Sequence, residues 1–175
     1  QPMSVDLQEL DAVTGMHVIV LEDTRWQRCD IKSIGLLPNV LLTREAREAG
    51  ADEAILVREK QLTEGASSNV FVVNSNEIVT PPLSHRLLGG ITRKLVIELC
   101  QQAEMNIQER TVMIDELYEA GEVWMTSSTM GILPVTKIGK SVVNNGHPGP
   151  KWRKLAARYI EYRATLQGTT FPEGQ

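Results

Sequence analysis

The sequence has little of what marks several large classes of protein. Two cysteines are too few for a disulfide framework and suit a reducing, cytoplasmic compartment. No apolar run approaches the ~18 residues of a transmembrane helix, and no signal-peptide pattern is visible, so we expect no membrane partner. A net charge of −4 gives no general reason to expect nucleic acid or an anionic membrane surface as a partner.

Several catalytic and binding motifs are also missing. His17, His85 and His147 show no metal-ligand spacing with one another or with the cysteines, so we expect no metal. The pair Ser67-Ser68 lacks a Gly-x-Ser-x-Gly setting, which argues against a serine hydrolase. Gly89-Gly90 matches neither the Walker A motif nor the dinucleotide-binding fingerprint.

The patterns that are present predict one globular domain of α/β (α+β) class built on a mixed sheet. Its 42% hydrophobic and 23% charged residues exclude disorder. Strands are predicted at 16–21, 53–58, 69–73, 77–80, 107–111, 122–126, 132–138 and 141–143. Helices are predicted at 36–49, from 91 past 101, at 115–120 with Asp115 as its cap, and at 151–166. Residues 1–15 resemble an interdomain linker, 16–167 form the domain, and 168–175 are a tail. We expect a preceding domain that this chain lacks.

Lys32 is the most informative residue, because it lies in a short polar bend between an apolar strand and a helix. A lysine amine can form an imine with a carbonyl cofactor. That reaction requires a deprotonated amine, which neighbouring positive charge and desolvation promote. Arg25 and Arg28 are the positive charges nearest in the sequence. Taken alone, Lys32 proves little, because most lysines are ordinary surface charges.

Two segments are suited to an anion. Gly89-Gly90-Ile91-Thr92 opens a helix, where free backbone N–H groups and the helix dipole favour phosphate. Residues 126–129 place four hydroxyl side chains after a buried strand. Each segment is also consistent with a turn, an N-cap or a plain loop. A polar loop at 63–69 carries Glu64, which is either a solvated side chain or the acceptor of a hydrogen bond from a protonated heterocyclic nitrogen.

The order of these pieces resembles the class IV (fold-type IV) family of pyridoxal 5′-phosphate enzymes, and its D-amino acid transaminase branch most. The resemblance rests on the run from Arg25 to Lys32, on Thr63–Phe71, on Leu88–Arg93 and on Trp124–Val135. It spans about residues 23–163 and implies the large domain of that fold, with a sheet forming a partial barrel and flanking helices.

The resemblance assigns roles residue by residue. Lys32 matches the lysine that forms a Schiff base with the cofactor, and Glu64 matches the acid that pairs with the pyridine nitrogen. Arg25 and Thr129 match substrate-binding residues, Arg25 as the group that holds the α-carboxylate. The remaining cofactor contacts match Ser67, Leu88, Gly90, Ile91, Thr92, Ser127 and Ser128.

The implied activity is transamination of D-amino acids of the D-alanine type with a 2-oxo acid such as 2-oxoglutarate. The intact protein is expected to be a homodimer with a smaller N-terminal domain. Branched-chain aminotransferases resemble the chain less, because their lysine is followed by a Gly-Gly-Asn-Tyr-like stretch rather than Ser33-Ile34-Gly35-Leu36. Two further possibilities stay open, a 4-amino-4-deoxychorismate lyase-like enzyme of the same family and a non-enzymatic phosphate-ester-binding domain.

Overall fold

The computed structural model describes residue 10 and residues 12–75 and 77–167. Within this part of the chain, nine strands form one sheet: β1 Met16–Glu22, β2 Glu53–Arg58, β3 Gln61–Gly65, β4 Asn69–Val73, β5 Ile78–Thr80, β6 Ile107–Glu109, β7 Glu122–Ser127, β8 Gly131–Ile138 and β9 Ser141–Val142. The α-helices are α1 Leu37–Glu48, α2 Ile91–Gln102, α3 Ile114–Tyr118 and α4 Pro150–Gln167. The predicted tail at 168–175 and most of the predicted linker (1–9 and 11) lie outside the described residues.

The sheet is mixed and curls into a half-barrel, which confirms the predicted fold class. Its strand order is β3-β2-β1-β8-β7-β4-β5-β6, with β9 beside β8. Strand β1 runs parallel to β2 and β8, and β5 runs parallel to β6. Helix α1 supplies the crossover that the parallel β1–β2 connection needs. Strands β4 and β7 are antiparallel and set Asn69 opposite Thr126.

Both faces of the sheet are covered, which explains why its strands are nearly continuous apolar runs. In β4, Val70 and Val72 join one buried cluster, whereas Phe71 and Val73 face a second cluster with Trp124. Helices α2 and α4 close the second cluster through residues such as Leu99, Cys100, Trp152 and Leu155. Helix α1 covers a third, smaller cluster with Leu42 and Ala46.

Local sequence explains the helix boundaries. Pro38 lies in the first turn of α1, where its missing N–H costs nothing, and Gly50 follows the helix with φ +75°. The predicted cap of α3 is wrong, because Asp115 lies inside its first turn. The carboxylate of Glu116 accepts the N–H of Met113 at 3.0 Å instead.

Strand β3 was not predicted from the sequence, and it changes the setting of Glu64. Residues 61–65 mix polar and apolar side chains, so their pattern is typical of a loop. Glu59 and Lys60 adopt positive φ values of 55° and 62° and form the tight turn that folds β3 back on β2. Glu64 therefore lies on a buried strand. No helix in the described part of the chain is long and apolar enough to cross a membrane.

Candidate active site

A cavity of about 990 Å³ lies where β3 and β7 end and where β4 and α2 begin. It is lined by ten residues that the sequence singled out, namely Arg25, Lys32, Glu64, Ser67, Leu88, Gly90, Ile91, Thr92, Ser127 and Ser128. Thr129 is not among the lining residues, and its hydroxyl oxygen lies 3.2 Å from that of Ser127. Four separate stretches of sequence thus meet around one space.

Lys32 reaches the cavity from the irregular segment between β1 and α1, and its side chain is exposed. The segment is anchored upstream, where the N–H of Cys29 donates to the carbonyl of His85 at 2.8 Å. The sequence suggests Arg28 as a positive charge near Lys32. In the structure Arg28 pairs with Asp30 at 2.9 Å, so its charge is balanced.

Glu64 is 5% exposed and accepts hydrogen bonds on both carboxylate oxygens. Arg25 Nη1 donates to Oε1 at 2.5 Å, while Asn69 Nδ2 and the N–H of Leu88 donate to Oε2 at 3.1 and 3.0 Å. Burial raises the pKa of Glu64 to about 7, although the charge and hydrogen bond of Arg25 act in the opposite direction. A carboxylate has room for about four such bonds, so one acceptor position remains for a ligand.

Arg25 is placed differently from the sequence-based expectation. Its guanidinium is 4% exposed and donates to Asp23 through Nε at 2.9 Å and Nη2 at 3.0 Å, in addition to its bond to Glu64. A further bond runs from Nη2 to the carbonyl of Arg86 at 3.3 Å. Because these partners occupy four of its five N–H donors and both nearby carboxylates already pair with it, the geometry does not favour Arg25 as the group that holds a substrate carboxylate.

The start of α2 offers backbone donors to an anion. Gly90 precedes the helix in an extended conformation and provides no side-chain cap, and Lys94 is the first residue whose N–H returns to the carbonyl of Gly90. The N–H groups before Lys94 therefore have no helical acceptor and lie at the positive end of the dipole. A Cβ on Gly90 would lie 2.3 Å from Oδ1 of Asn69, so this close packing requires glycine.

Two hydroxyls on the cavity wall are buried; the sequence indicated Thr126, as part of the 126–129 hydroxyl run, but gave Ser68 no ligand role. Ser68 Oγ and Thr126 Oγ1 have no hydrogen-bond partner within the part of the chain that the structure describes. Buried polar atoms are normally satisfied, so both indicate a polar ligand or water in the cavity. Only the register of β4 against β7 brings Thr126 beside the 64–69 segment, and a single sequence does not reveal that register.

Ser67 lies in the turn between β3 and β4 and is held by Glu53. Its N–H donates to Oε1 and its hydroxyl donates to Oε2 of that carboxylate, both at 2.9 Å. Asn39 Nδ2 of α1 donates to the neighbouring carbonyl of Ala66 at 2.8 Å. Glu53 and Asn39 therefore both stabilise the turn that follows Glu64, and the hydroxyl of Ser67 is used for this purpose.

These features fit a ring-bearing phosphate ester with a carbonyl group. The α2 N-terminus and the unpartnered hydroxyls suit its phosphate, Glu64 suits a protonated ring nitrogen, and Lys32 supplies an amine. The described residues contain no group of three or more histidine, cysteine, aspartate or glutamate side chains that could hold a metal ion. This set of groups is that of a pyridoxal 5′-phosphate site.

Comparison with known proteins agrees with this fit. The profile of the family described as amino-transferase class IV matches residues 3–138. The chain belongs to that family, whose members depend on pyridoxal 5′-phosphate.

Among curated proteins, the chain is 46% identical over 142 residues to a D-alanine aminotransferase from Bacillus licheniformis, covering 81% of this chain and 50% of that one. It is 39% identical over 158 residues to a D-alanine aminotransferase from Staphylococcus haemolyticus, covering 89% of this chain and 56% of that one. The chain therefore spans about half the length of the curated relatives it matches.

Two solved structures show the same fold. A branched-chain amino acid aminotransferase from Thermobaculum terrenum in its PLP form has a TM-score of 0.82 at 28% identity, covering 88% of this chain and 52% of that one. A branched-chain aminotransferase from the thermophilic archaeon Thermoproteus uzoniensis, solved with norvaline, has a TM-score of 0.78 at 30% identity, covering 89% of this chain and 52% of that one.

Proposed function

We propose that this chain is the cofactor-binding part of an aminotransferase that acts on D-amino acids of the D-alanine type and uses a 2-oxo acid such as 2-oxoglutarate as acceptor. The observation that carries the proposal is that Lys32 and Glu64 line one cavity together with the α2 N-terminus. The 46% identity to a D-alanine aminotransferase supports the D-amino acid branch.

Lys32 and Glu64 divide the proposed chemistry. The bound cofactor supplies an aldehyde that takes up an amino group and a ring that withdraws electrons from the substrate α-carbon. Lys32 Nζ is the group that holds the cofactor and then moves the α-proton, a contribution typically worth ~10²–10⁴ in rate. Glu64, as a carboxylate, favours a protonated ring nitrogen because the two opposite charges attract in a buried site.

The phosphate is proposed to rest on the start of α2 and the end of β7. Backbone N–H groups at Ile91 and Thr92 and the hydroxyls of Thr92, Ser127 and Ser128 are the donors. Leu88 packs against the ring from the same turn. These contacts perform no chemistry, and they act by fixing the ring relative to Lys32.

The activity is proposed for the assembled enzyme. Residues 16–167 form its large domain, and the residues before them lead from a smaller N-terminal domain. Several apolar side chains around α1 and the Lys32 segment are exposed, among them Ile34, Leu36, Leu37 and Val40. Such a patch is typical of a protein contact, which supports coverage by another domain and by a second copy in a homodimer. Cys29 and Cys100 are both free, which supports a cytoplasmic location.

An amino-donor panel tests the substrate class. Holoenzyme is incubated with D-alanine, D-glutamate or L-leucine and a 2-oxo acid, and both products are measured; the proposal predicts turnover with D-alanine and loss of turnover in Lys32→Ala. A preference for L-leucine would instead establish a branched-chain aminotransferase, which the solved structures at 28% and 30% identity keep as the second candidate. A donor that carries a leaving group on its β-carbon is added to the panel, because a lyase would eliminate that group and release product without use of the 2-oxo acid.

A further inference from the structure

Arg25 lies at the centre of a buried charge network behind the cavity. Nε and Nη2 of Arg25 grip the two oxygens of Asp23 at 2.9 and 3.0 Å, and the Arg25 backbone N–H adds a bond to Asp23 Oδ1 at 3.1 Å. The side chains are 4% and 0% exposed. This two-point grip fixes the plane of the guanidinium, so Nη1 is directed at Oε1 of Glu64.

The charges in this network balance. Arg58 Nη2 lies 3.4 Å from Asp23 Oδ1, and Thr63 donates its hydroxyl to Asp23 Oδ2 at 3.0 Å. When Glu64 is ionised, Asp23, Arg25, Arg58 and Glu64 therefore contribute two negative and two positive charges. Removing one member of a buried set leaves its partner charged and unpaired, which is strongly unfavourable.

The two sides of Glu64 are held by different means. Oε1 is fixed by Arg25, and Oε2 is fixed by the amide of Asn69 and the N–H of Leu88. Desolvation alone favours the neutral acid at this depth, and among the described residues only Arg25 brings a positive charge into hydrogen-bond contact with Glu64. A neutral Glu64 would not favour a protonated ring nitrogen.

We infer that Arg25, clamped by Asp23, is a positioning residue that sets the charge and orientation of the Glu64 carboxylate, and that it does not bind the substrate. The inference rests on the proposed function for the ring-nitrogen role of Glu64. The pair acts through Glu64 alone and touches no reacting atom.

The test is the titration of Glu64 in the cofactor-free chain, followed by ¹³C NMR of labelled glutamate side chains and assigned with Glu64→Gln. In Arg25→Gln the Glu64 midpoint is expected to rise by at least about one pH unit. The matched control is Arg58→Gln. Arg58 is a second buried arginine that pairs with Asp23, and it has no hydrogen bond or ion pair with Glu64 among the described residues, so its removal should leave the Glu64 midpoint within about 0.3 units.

A second readout separates positioning from substrate binding. In the holoenzyme, Arg25→Gln is expected to lower kcat about tenfold or more, with KM for the amino donor changed less than about twofold. An unmoved Glu64 midpoint, or a raised KM with kcat intact, would overturn the inference. If Arg25→Gln does not fold, Arg25→Lys replaces it, because lysine keeps the buried positive charge but not the planar set of guanidinium donors. The Glu64 midpoint in Arg25→Lys is expected to rise by a smaller amount, and an unchanged midpoint would overturn the inference.

Failure of the proposed function would look different. If the cofactor role is wrong, Lys32 of the wild type forms no covalent bond with the cofactor. If only the substrate class is wrong, that bond forms but D-alanine is not turned over; neither result depends on the Glu64 titration. The cofactor-free NMR measurement remains valid in either case, because it reports on the Asp23–Arg25–Glu64 contacts directly.

Discussion

Nδ2 of Asn69 donates to Oε2 of Glu64 at 3.1 Å and to the carbonyl oxygen of Leu88 at 2.8 Å. One buried side chain therefore joins the acid at the ring site to the turn that leads into α2. The two halves of the site, one for the ring and one for the phosphate, are held in a fixed relation through Asn69.

Replacing Asn69 should weaken cofactor binding. Asn69→Ala removes both bonds and leaves the Leu88 carbonyl with only the N–H of Gly90 as its donor, so the turn before α2 is held less firmly to Glu64. The Kd for pyridoxal 5′-phosphate is therefore expected to rise about tenfold or more, which corresponds to ~1.4 kcal/mol. Asn39→Ala is the control, because Asn39 lines the same cavity and also donates to one carbonyl but contacts neither Glu64 nor Leu88. Equal effects of the two changes in an absorbance titration would contradict this role.

Gly90→Ala should act on the same contact by crowding. The new Cβ would lie 2.3 Å from Asn69 Oδ1, so the turn before α2 must shift, at a cost of roughly 1–3 kcal/mol. Gly89→Ala is the matched control, since its Cβ would meet only the end of the Leu83 side chain, at 3.3 Å. Thermal unfolding and cofactor titration should show a large effect at position 90 and a small one at 89. A reversed order would contradict the close packing of Gly90 against Asn69.

Glu64 should make the stability of the cofactor-free chain depend on pH. Burial raises the pKa of Glu64 from 4.5 to about 7, so the folded state holds a proton that the unfolded state releases between these values. The free energy of unfolding must therefore fall as pH rises through that window, by roughly 3 kcal/mol.

Glu64→Gln should lack this dependence. The wild type is expected to lose stability relative to the variant between pH 5 and pH 8 in urea unfolding. Asp23 does not contribute to this pH dependence. Burial raises its pKa, but Arg25 lowers it by more, so Asp23 titrates below its ordinary value of 3.8, outside the range measured. A difference that stays constant over this range would show that Glu64 titrates like an exposed carboxylate.

Glu122 should be important for stability and unimportant for the site. Its carboxylate accepts the N–H groups of Lys151 at 2.9 Å and Trp152 at 2.8 Å, and the indole N–H of Trp124 at 3.0 Å. Glu122→Ala leaves three donors without this partner at the start of α4, so we expect a loss of roughly 2–4 kcal/mol in the free energy of unfolding.

The control for Glu122 is Glu161→Ala, an exposed position on the same helix, which should change stability by less than about 0.5 kcal/mol. The Kd for the cofactor, measured where both variants are folded, should match the wild type. Weakened cofactor binding in Glu122→Ala alone would show that α4 packing reaches the site.

The sequence predicted the elements whose pattern is local. Apolar runs such as 69–73 and the 3.6-residue spacing of Val96, Leu99 and Cys100 reveal buried strands and a helix face directly. Strand β3 was missed because Leu62 is its only large apolar residue and Gly65 ends it, a composition typical of a loop. Its pairing with β2 is what makes it a strand.

The site was predictable where chemistry and position coincide, as at Lys32 and Gly90. The buried partners of Arg25 could not be predicted, because the fold brings Asp23 and Glu64 to it, whereas an arginine beside a cofactor lysine in the sequence suggests a free anion receptor. Thr126 carried a signal as part of the 126–129 hydroxyl run, whereas Ser68 carried none as a ligand group. The pairing of β4 with β7 places both hydroxyls at the cavity.

Covalent trapping at Lys32 is the most direct test of the proposed bond between this lysine and the cofactor. The chain is mixed with pyridoxal 5′-phosphate, reduced with borohydride, digested, and mapped by mass spectrometry, with Lys32→Ala treated in parallel. If Lys32 holds the cofactor, a phosphopyridoxyl group is expected on Lys32 of the wild type and none on the cavity residues of the variant. Labelling at other surface lysines with Lys32 unmodified, or equal labelling of both proteins, would contradict this role of Lys32.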